Sequence, residues 1–226
     1  ENTTSTSNNP VGWWKMDEGT GQYAYDVSGN GNTGTLGTST AAEPADPTWT
    51  TGKLGKGLSF DGVNDTVTVG TTYGRPVKNM TVSAWVKVRT MPLSGNHHDC
   101  IASDIALSSF GQGWGLALYN GNNVRFWVNT WSSYPANFAG FTDTTSWHHF
   151  VGVYNGTNLK IYVDNVLGST IGSYSGDIDY SGATGLQMGQ GFTGGNDWFK
   201  GNIDDVRIYN RALSAGEVAQ MYNSTK

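Results

Sequence analysis

The sequence predicts an all-β domain, a sandwich or barrel of short strands closed by one short carboxyl-terminal helix. Three observations predict it. Glycine is abundant, at 32 of 226 residues, and aromatic residues make up 12% of the chain while charged residues make up only 14%. That mixture supplies turns and fills pleated surfaces. Apolar residues alternate with polar ones in short runs, at intervals of roughly 8–12 residues. A capping box stands only near the end, where Ser214 precedes Glu217 by three residues.

The elements follow in order. Glu1 to Pro10 is rich in Ser, Thr and Asn and reads as the remnant of a linker, so the domain is expected over residues 11–226. Val11–Met16 is a first strand, and Asp26–Gly34 a dense turn. Lys56–Gly62 and Asp65–Gly70 read as a hairpin. Thr81–Val88 alternates most clearly, with Val82, Ala84, Val86 and Val88 on one face and Thr81, Ser83, Trp85 and Lys87 on the other. Trp114–Tyr119 and Asn123–Asn129 are further strands. Trp147–Gly156 and Leu159–Asn165 form a second hairpin turning at Gly156. Leu186–Gln190 and Gly201–Tyr209 are the last strands, and Ser214–Tyr222 is the helix. The triplet His97, His98 and Asp99 reads as a turn.

Bulk properties exclude several functions. A net charge of −5 with no basic run leaves no electrostatic footprint for nucleic acid. No apolar run is long enough to enter a bilayer. The single cysteine, Cys100, permits no intrachain disulfide, so the fold rests on its core and on any bound metal. The composition and the linker-like start suit a secreted or cell-surface module, covalently joined to other domains.

Four segments carry a resemblance: WWKMDEGTGQYAYDVSGNGNTG, GKLGKGLSFDGVNDTVTV, SWHHFVGVYNGTNLKIYVDN and GNIDDVRIYNRALSAGEV. Together, in this order and spacing, they resemble bacterial laminin G-like domains of the concanavalin A-like lectin/glucanase superfamily. The resemblance implies two antiparallel sheets in a jelly-roll sandwich with one concave face. It also implies that the first loop lies near the last strand.

Two sites are expected. In the turn, Asp26, Ser28, Asn30 and Asn32 alternate as oxygen donors in the pattern that opens an EF-hand loop, but Gly37 stands where that loop would end in Glu. With Asp204 and Asp205 brought in from the last strand, the set is expected to hold a structural calcium ion. Asp204 alternates with Val206 and Ile208 and so is expected to face the core. A second site, for a polysaccharide or oligosaccharide, needs aromatic rings with a few polar groups. Its candidates are Trp114, Arg125, Trp127, Trp131, Tyr134 and Trp198, while Trp85, Trp147 and Tyr162 are expected to be structural.

Catalysis is not expected. A glycosidase needs two carboxylates flanking the scissile bond. The glutamates are Glu1, Glu18, Glu43 and Glu217, and none lies in the Glu-x-Asp-x-x-Glu strand of β-glucanase relatives. The Arg-rich and Gln-x-His strands of alginate lyases are also missing. The leading expectation is a non-catalytic carbohydrate-binding module. An adhesion or structural domain that binds protein is the alternative, and a polysaccharide-degrading enzyme comes third.

Overall fold

A computed structural model describes residues 9–92, 97–106, 112–129, 136–172, 175–190 and 197–226. The strands are β1 (Gly12–Trp14), β2 (Tyr23–Ala24), β3 (Gly34–Leu36), β4 (Thr48–Thr51), β5 (Lys56–Asp61), β6 (Val67–Gly70), β7 (Met80–Val88), β8 (His98–Ile105), β9 (Gly113–Tyr119), β10 (Asn123–Val128), β11 (Ala136–Ala139), β12 (His148–Tyr154), β13 (Asn158–Val163), β14 (Val166–Gly172), β15 (Leu186–Met188) and β16 (Lys200–Tyr209). The helix α1 spans Ala215–Thr225.

The strands form two sheets. The first runs β14-β13-β12-β7-β16-β5-β4, with β1 also pairing with β16; the second runs β11-β10-β9-β8-β15-β6-β3-β2. The strand pairs within them are antiparallel, as in the pairings of β7 with β12 and β8 with β9. One apolar core lies between the sheets. Leu58, Val86, Phe150 and Ile203 enter it from the first, and Trp114, Leu116, Phe126 and Leu186 from the second. Removing this much apolar surface from water is the main force holding the sandwich closed. Packing is close: a Cβ on Gly152 of β12 would lie 2.4 Å from the ring of Phe126 on the opposite sheet.

The alternation within β7, β10 and β13 falls as expected. Val82, Ala84, Val86 and Val88 face the core, as do Val124, Phe126 and Val128, and Leu159, Ile161 and Val163. The β12–β13 hairpin also forms, with Gly156 at φ +89° in its turn. The helix begins as expected: Ser214 accepts from the Glu217 amide, and Glu217 accepts from the Ser214 amide. Val218 and Met221 of α1 then bury against Val151, Val153, Tyr162 and Tyr209 on the outer face of the first sheet. Trp85 lies under the same helix. Its ring is 5.9 Å from Tyr222 and 5.2 Å from His149, and its Nε1 donates to Thr225 Oγ1 at 3.1 Å. Trp85 and Tyr162 are therefore structural, as expected, and Trp147 is half-buried.

Three expectations fail. The strands β5 and β6 are not a hairpin: β5 pairs with β4 and β16 in one sheet, and β6 with β3 and β15 in the other. Both strands alternate toward the same core from opposite sides, so periodicity cannot separate a hairpin from a crossover between sheets. Second, His98 and Asp99 do not form a turn but open β8, every residue of which is buried. Third, Asp204 does not face the core. A bulge between Asp204 and Arg207 places Asp205 at φ +49° and shifts the phase of β16, so Ile203 and Val206 both point inward while Asp204 pairs across from Trp85.

Candidate ligand-binding site

The outer face of the second sheet carries a mixed row of aromatic, small and charged residues. On β10, Arg125 and Trp127 alternate with core-facing Val124 and Phe126; on β9, Gly115, Ala117 and Tyr119 alternate with Leu116 and Leu118. The guanidinium of Arg125 stacks on Tyr119 at 3.2 Å and lies 3.2 Å from His98 Nε2. A guanidinium only donates, so His98 Nε2 is the acceptor in this pair. The His98 ring in turn lies 4.5 Å from Tyr119 and meets Trp127 edge-on at 5.4 Å. Burial pushes the Arg125 guanidinium below its ordinary range, with the partial compensation of Tyr119.

The position of these residues corrects the expected ligand face. Trp127 is 1% exposed and packs on Cys100, Ile105 and Ala117, over a glycine whose Cβ would lie 2.2 Å from its ring. Arg125 is 8% exposed. Trp114 belongs to the central core at 0% exposure, because alternation on β9 sets it beside Leu116 and Leu118, and its Nε1 donates to Tyr73 Oη at 3.0 Å. Each holds the fold and none offers a ring to solvent. Trp131 and Tyr134 lie outside the described residues.

Trp198 is different. It is half-buried and lines a cleft of about 150 Å³ with Gly62, Thr90, Met91, Pro92, His97, Asp99 and Lys200. The cleft sits at one end of the sandwich, where the ends of β5, β7 and β16 from one sheet meet the start of β8 from the other. Behind it, Asp197 Oδ1 accepts from the His98 amide at 3.2 Å and from His97 Nδ1 at 3.2 Å. Among the described residues no group donates to the Asp99 carboxyl, which burial, and then the neighbouring Asp197 charge, push up to about 7. The cleft therefore offers an aromatic ring, an imidazole, an ammonium at the rim and a carboxyl that holds its proton near neutrality. Of the residues lining this cleft, the sequence singled out Trp198 as a ligand candidate but not Asp99 or Lys200, because residues from positions 62 to 200 join only through the topology. The run His97-His98-Asp99 was the one further signal.

The amino-terminal turn is built otherwise. Asp26 Oδ1 accepts from the Trp13 and Ser28 amides at 2.9 and 2.8 Å, and Oδ2 accepts from Ser28 Oγ, the Asn32 amide and Asn32 Nδ2 at 2.8–2.9 Å. Burial raises the Asp26 pKa, but these bonds outweigh it and hold the carboxyl below its ordinary value. Asn30 Nδ2 and Asn32 Nδ2 both donate to the Val11 carbonyl. Asp205 accepts from Trp13 Nε1 at 2.7 Å and pairs with Arg207. Asp204 Oδ2 accepts from the Leu54 amide at 2.8 Å, while burial pushes its carboxyl up to about 7 and Oδ1 has no partner. Trp13 thus links the turn to the last strand, in keeping with the expected proximity. In this geometry the chain's own donors occupy the carboxylate of the expected calcium ligand Asp26. Both Asp26 oxygens are spent on protein donors, and no three His, Cys, Asp or Glu side chains among the described residues are grouped to hold a metal.

Comparison with known proteins locates the fold. Domain 4 of AbnA, an extracellular arabinanase from Geobacillus stearothermophilus whose structure holds arabinotriose, is similar over 95% of this chain and 98% of its own, with 19% identity and a TM-score of 0.73. The botulinum neurotoxin serotype G binding domain is similar over 96% of this chain at 16% identity and a TM-score of 0.71, and the serotype C domain, described as entering cells through two ganglioside molecules, at 15% and 0.65. The chain spans about half the length of these toxin domains. No curated protein matches it in sequence. The family model Laminin_G_3 matches residues 61–219, and the chain with its two antiparallel sheets and single helix belongs to the concanavalin A-like lectin/glucanases superfamily.

Proposed function

We propose that the protein is a non-catalytic carbohydrate-binding module of a larger secreted protein, and that it holds a polysaccharide or oligosaccharide in the cleft at Trp198. One observation carries the reading: a half-buried tryptophan shares a cleft with His97, Asp99 and Lys200. Sugar rings present apolar faces that stack on an aromatic ring and hydroxyls that bond to adjacent polar groups. The arabinotriose-bound arabinanase domain supports it by shared fold. The extracellular setting of that enzyme supports secretion, and no described helix is long and apolar enough to cross a membrane. The reading does not depend on a bound calcium ion, since the cleft lies apart from Asp26, Asn30 and Asn32.

The test is retention on a panel of arabinan, xylan, cellulose, mixed-linkage glucan and polygalacturonate. Wild-type protein is expected to bind one polymer class and release no reducing sugar from it. Trp198→Ala is expected to lose at least about 10-fold in affinity, the scale of one aromatic contact, with the melt little changed. Retention that survives this substitution refutes the cleft. Folded protein that binds no polymer refutes the module and favours a protein-binding adhesion domain. That second reading rests on Tyr23, Tyr25 and Val27, which form an exposed apolar row beside the amino-terminal turn.

A further inference from the structure

The Trp198 cleft contains more acid than a site for an arbitrary glycan would need. Asp99 is 6% exposed and Asp197 is 7% exposed, and they stand close enough for the charge of one to raise the other. Their surroundings differ. Asp197 accepts from the His98 amide and His97 Nδ1, so its carboxylate is hydrogen-bonded within the chain. Asp99 receives no donor among the described residues, yet it lines the cleft. A buried carboxylate without donors is costly, and the carboxyl relieves the cost by keeping its proton. In that state it is a hydrogen-bond donor aimed at whatever fills the cleft.

Resting on the glycan-binding reading, we propose that the cleft selects one neutral sugar residue and rejects acidic sugars, with the protonated carboxyl of Asp99 donating to a sugar hydroxyl. The cleft is small, at about 150 Å³, and opens to solvent, so it can take one sugar residue in part rather than a run of them. The ring stacks on Trp198. A uronate carboxylate or a sulfate placed there would face the charge of Asp197, and above about pH 7 that of Asp99 as well, in a poorly solvated space where like charges repel strongly. The cations do not reverse this. His97 is committed to Asp197, and Lys200 stands exposed at the rim. Met91 and Pro92, on the remaining wall, carry no charge.

The sign of the pH dependence follows. Below about pH 7 Asp99 donates; above it the carboxylate can only accept and adds its charge to that of Asp197. Binding is therefore tighter in acid and weakens as pH rises through neutrality.

Calorimetry with trisaccharides of arabinose, xylose, glucose and galacturonic acid, at about pH 5.5 and about pH 8.5, tests this against the window of a raised carboxyl. Wild-type protein is expected to bind one of the neutral trisaccharides, about 10-fold more weakly at the higher pH, as loss of one charge-sensitive hydrogen bond implies. It is expected to bind the galacturonic acid trimer more weakly than the neutral one at both values, and most weakly at the higher pH, where Asp99 and Asp197 are both charged. Asp99→Asn keeps a donor without a charge, and its binding is expected to be level across the range. Binding of the acidic trimer as tight as any neutral one overturns the proposal, as does a pH slope that persists in Asp99→Asn. The wild-type comparison of neutral with acidic sugars decides the matter even if the variant fails to fold. If no trisaccharide and no polymer binds folded wild-type protein, the glycan-binding reading itself falls, which is distinct from binding sugars without regard to charge.

Discussion

Asp26 and Asp99 are two partly buried carboxyls at two places in one sandwich, and they are treated in opposite ways. Asp26 is ringed by five donors and held acidic; Asp99 has no donor among the described residues and is pushed up to about 7. The first arrangement is complete and ties the turn to β1. The second is incomplete within the described chain and opens on a cleft. The difference teaches where to look for function in a domain that presents many polar turns: a carboxyl already satisfied by the chain belongs to the scaffold, while one left without a partner at the wall of a cleft, unlike the fully buried Asp204, is the place to test for a ligand.

The largest test of this contrast is Asp26→Ala. It frees donors on Trp13, Ser28 and Asn32 and is expected to cost about 3 kcal/mol, the scale of losing several charge-assisted bonds. At this chain length that is a fall of roughly 10 °C in Tm by scanning calorimetry. A fall of under a degree would show that the turn does not depend on its carboxylate. Asp99→Asn is expected to act in the other direction. The folded pKa of Asp99 is raised, so its ionisation weakens the native state as pH climbs from about 4 to about 7, and the full penalty is present above that. The substitution should therefore stabilise by about 1–2 kcal/mol near pH 8 and do nothing near pH 4. A loss of stability at pH 8 would mean that Asp99 has donors after all.

Asp164 is the intermediate case, and it gives the next effect in size. Burial raises its carboxyl, but the bond from His148 Nδ1 at 2.6 Å outweighs this and holds it low. His148 also reaches Asp143 through Nε2 at 3.2 Å. The bond to Asp164 raises the His148 pKa, against burial and with help from Asp143. A raised histidine contributes stability that is complete below its unfolded value, near 6.5, and lost as pH rises through the folded one. His148→Gln is expected to cost up to about 1 kcal/mol at pH 5.5, since the group is partly solvated, and less at pH 9. An effect that does not change with pH would assign His148 to packing against Phe141 alone. The smallest expected effect is that of chelator, which should leave Tm unchanged because hydrogen bonds already satisfy Asp26. A lower melt in chelator, with calcium found by elemental analysis, would put the ion back at Asp26, Asn30 and Asn32.

The two regions were not equally legible in the sequence. The turn is local, and its spacing from Asp26 to Asn32 announced an oxygen-rich loop, although the same spacing suits a metal and a set of backbone donors equally well. The cleft draws on the β5–β6 turn, the end of β7, the start of β8 and the approach to β16, so nothing short of the sheet order could assemble it. Alternation identified the core faces of β7, β10 and β13 because every second residue there is aliphatic or Phe, while the other face mixes polar residues with one large aromatic each. It failed at β8, where His98, Asp99, Ser103 and Asp104 are buried polar residues that break the pattern. It failed again at Trp114 and Trp127, since a bulky aromatic reads alike whether it faces the core, lies under a covering segment or meets a ligand.

The place of β16 has a consequence for how the molecule comes into being. This last strand joins β1, β5 and β7, so Gly12 finds its partner Ile208 only when nearly the whole chain is present. During synthesis the amino-terminal strands must wait, unpaired on that side, while almost two hundred residues follow. Closing so long a loop is slow. Folding is accordingly an event of the completed domain, and a domain truncated before residue 200 is expected to expose raw strand edges and aggregate.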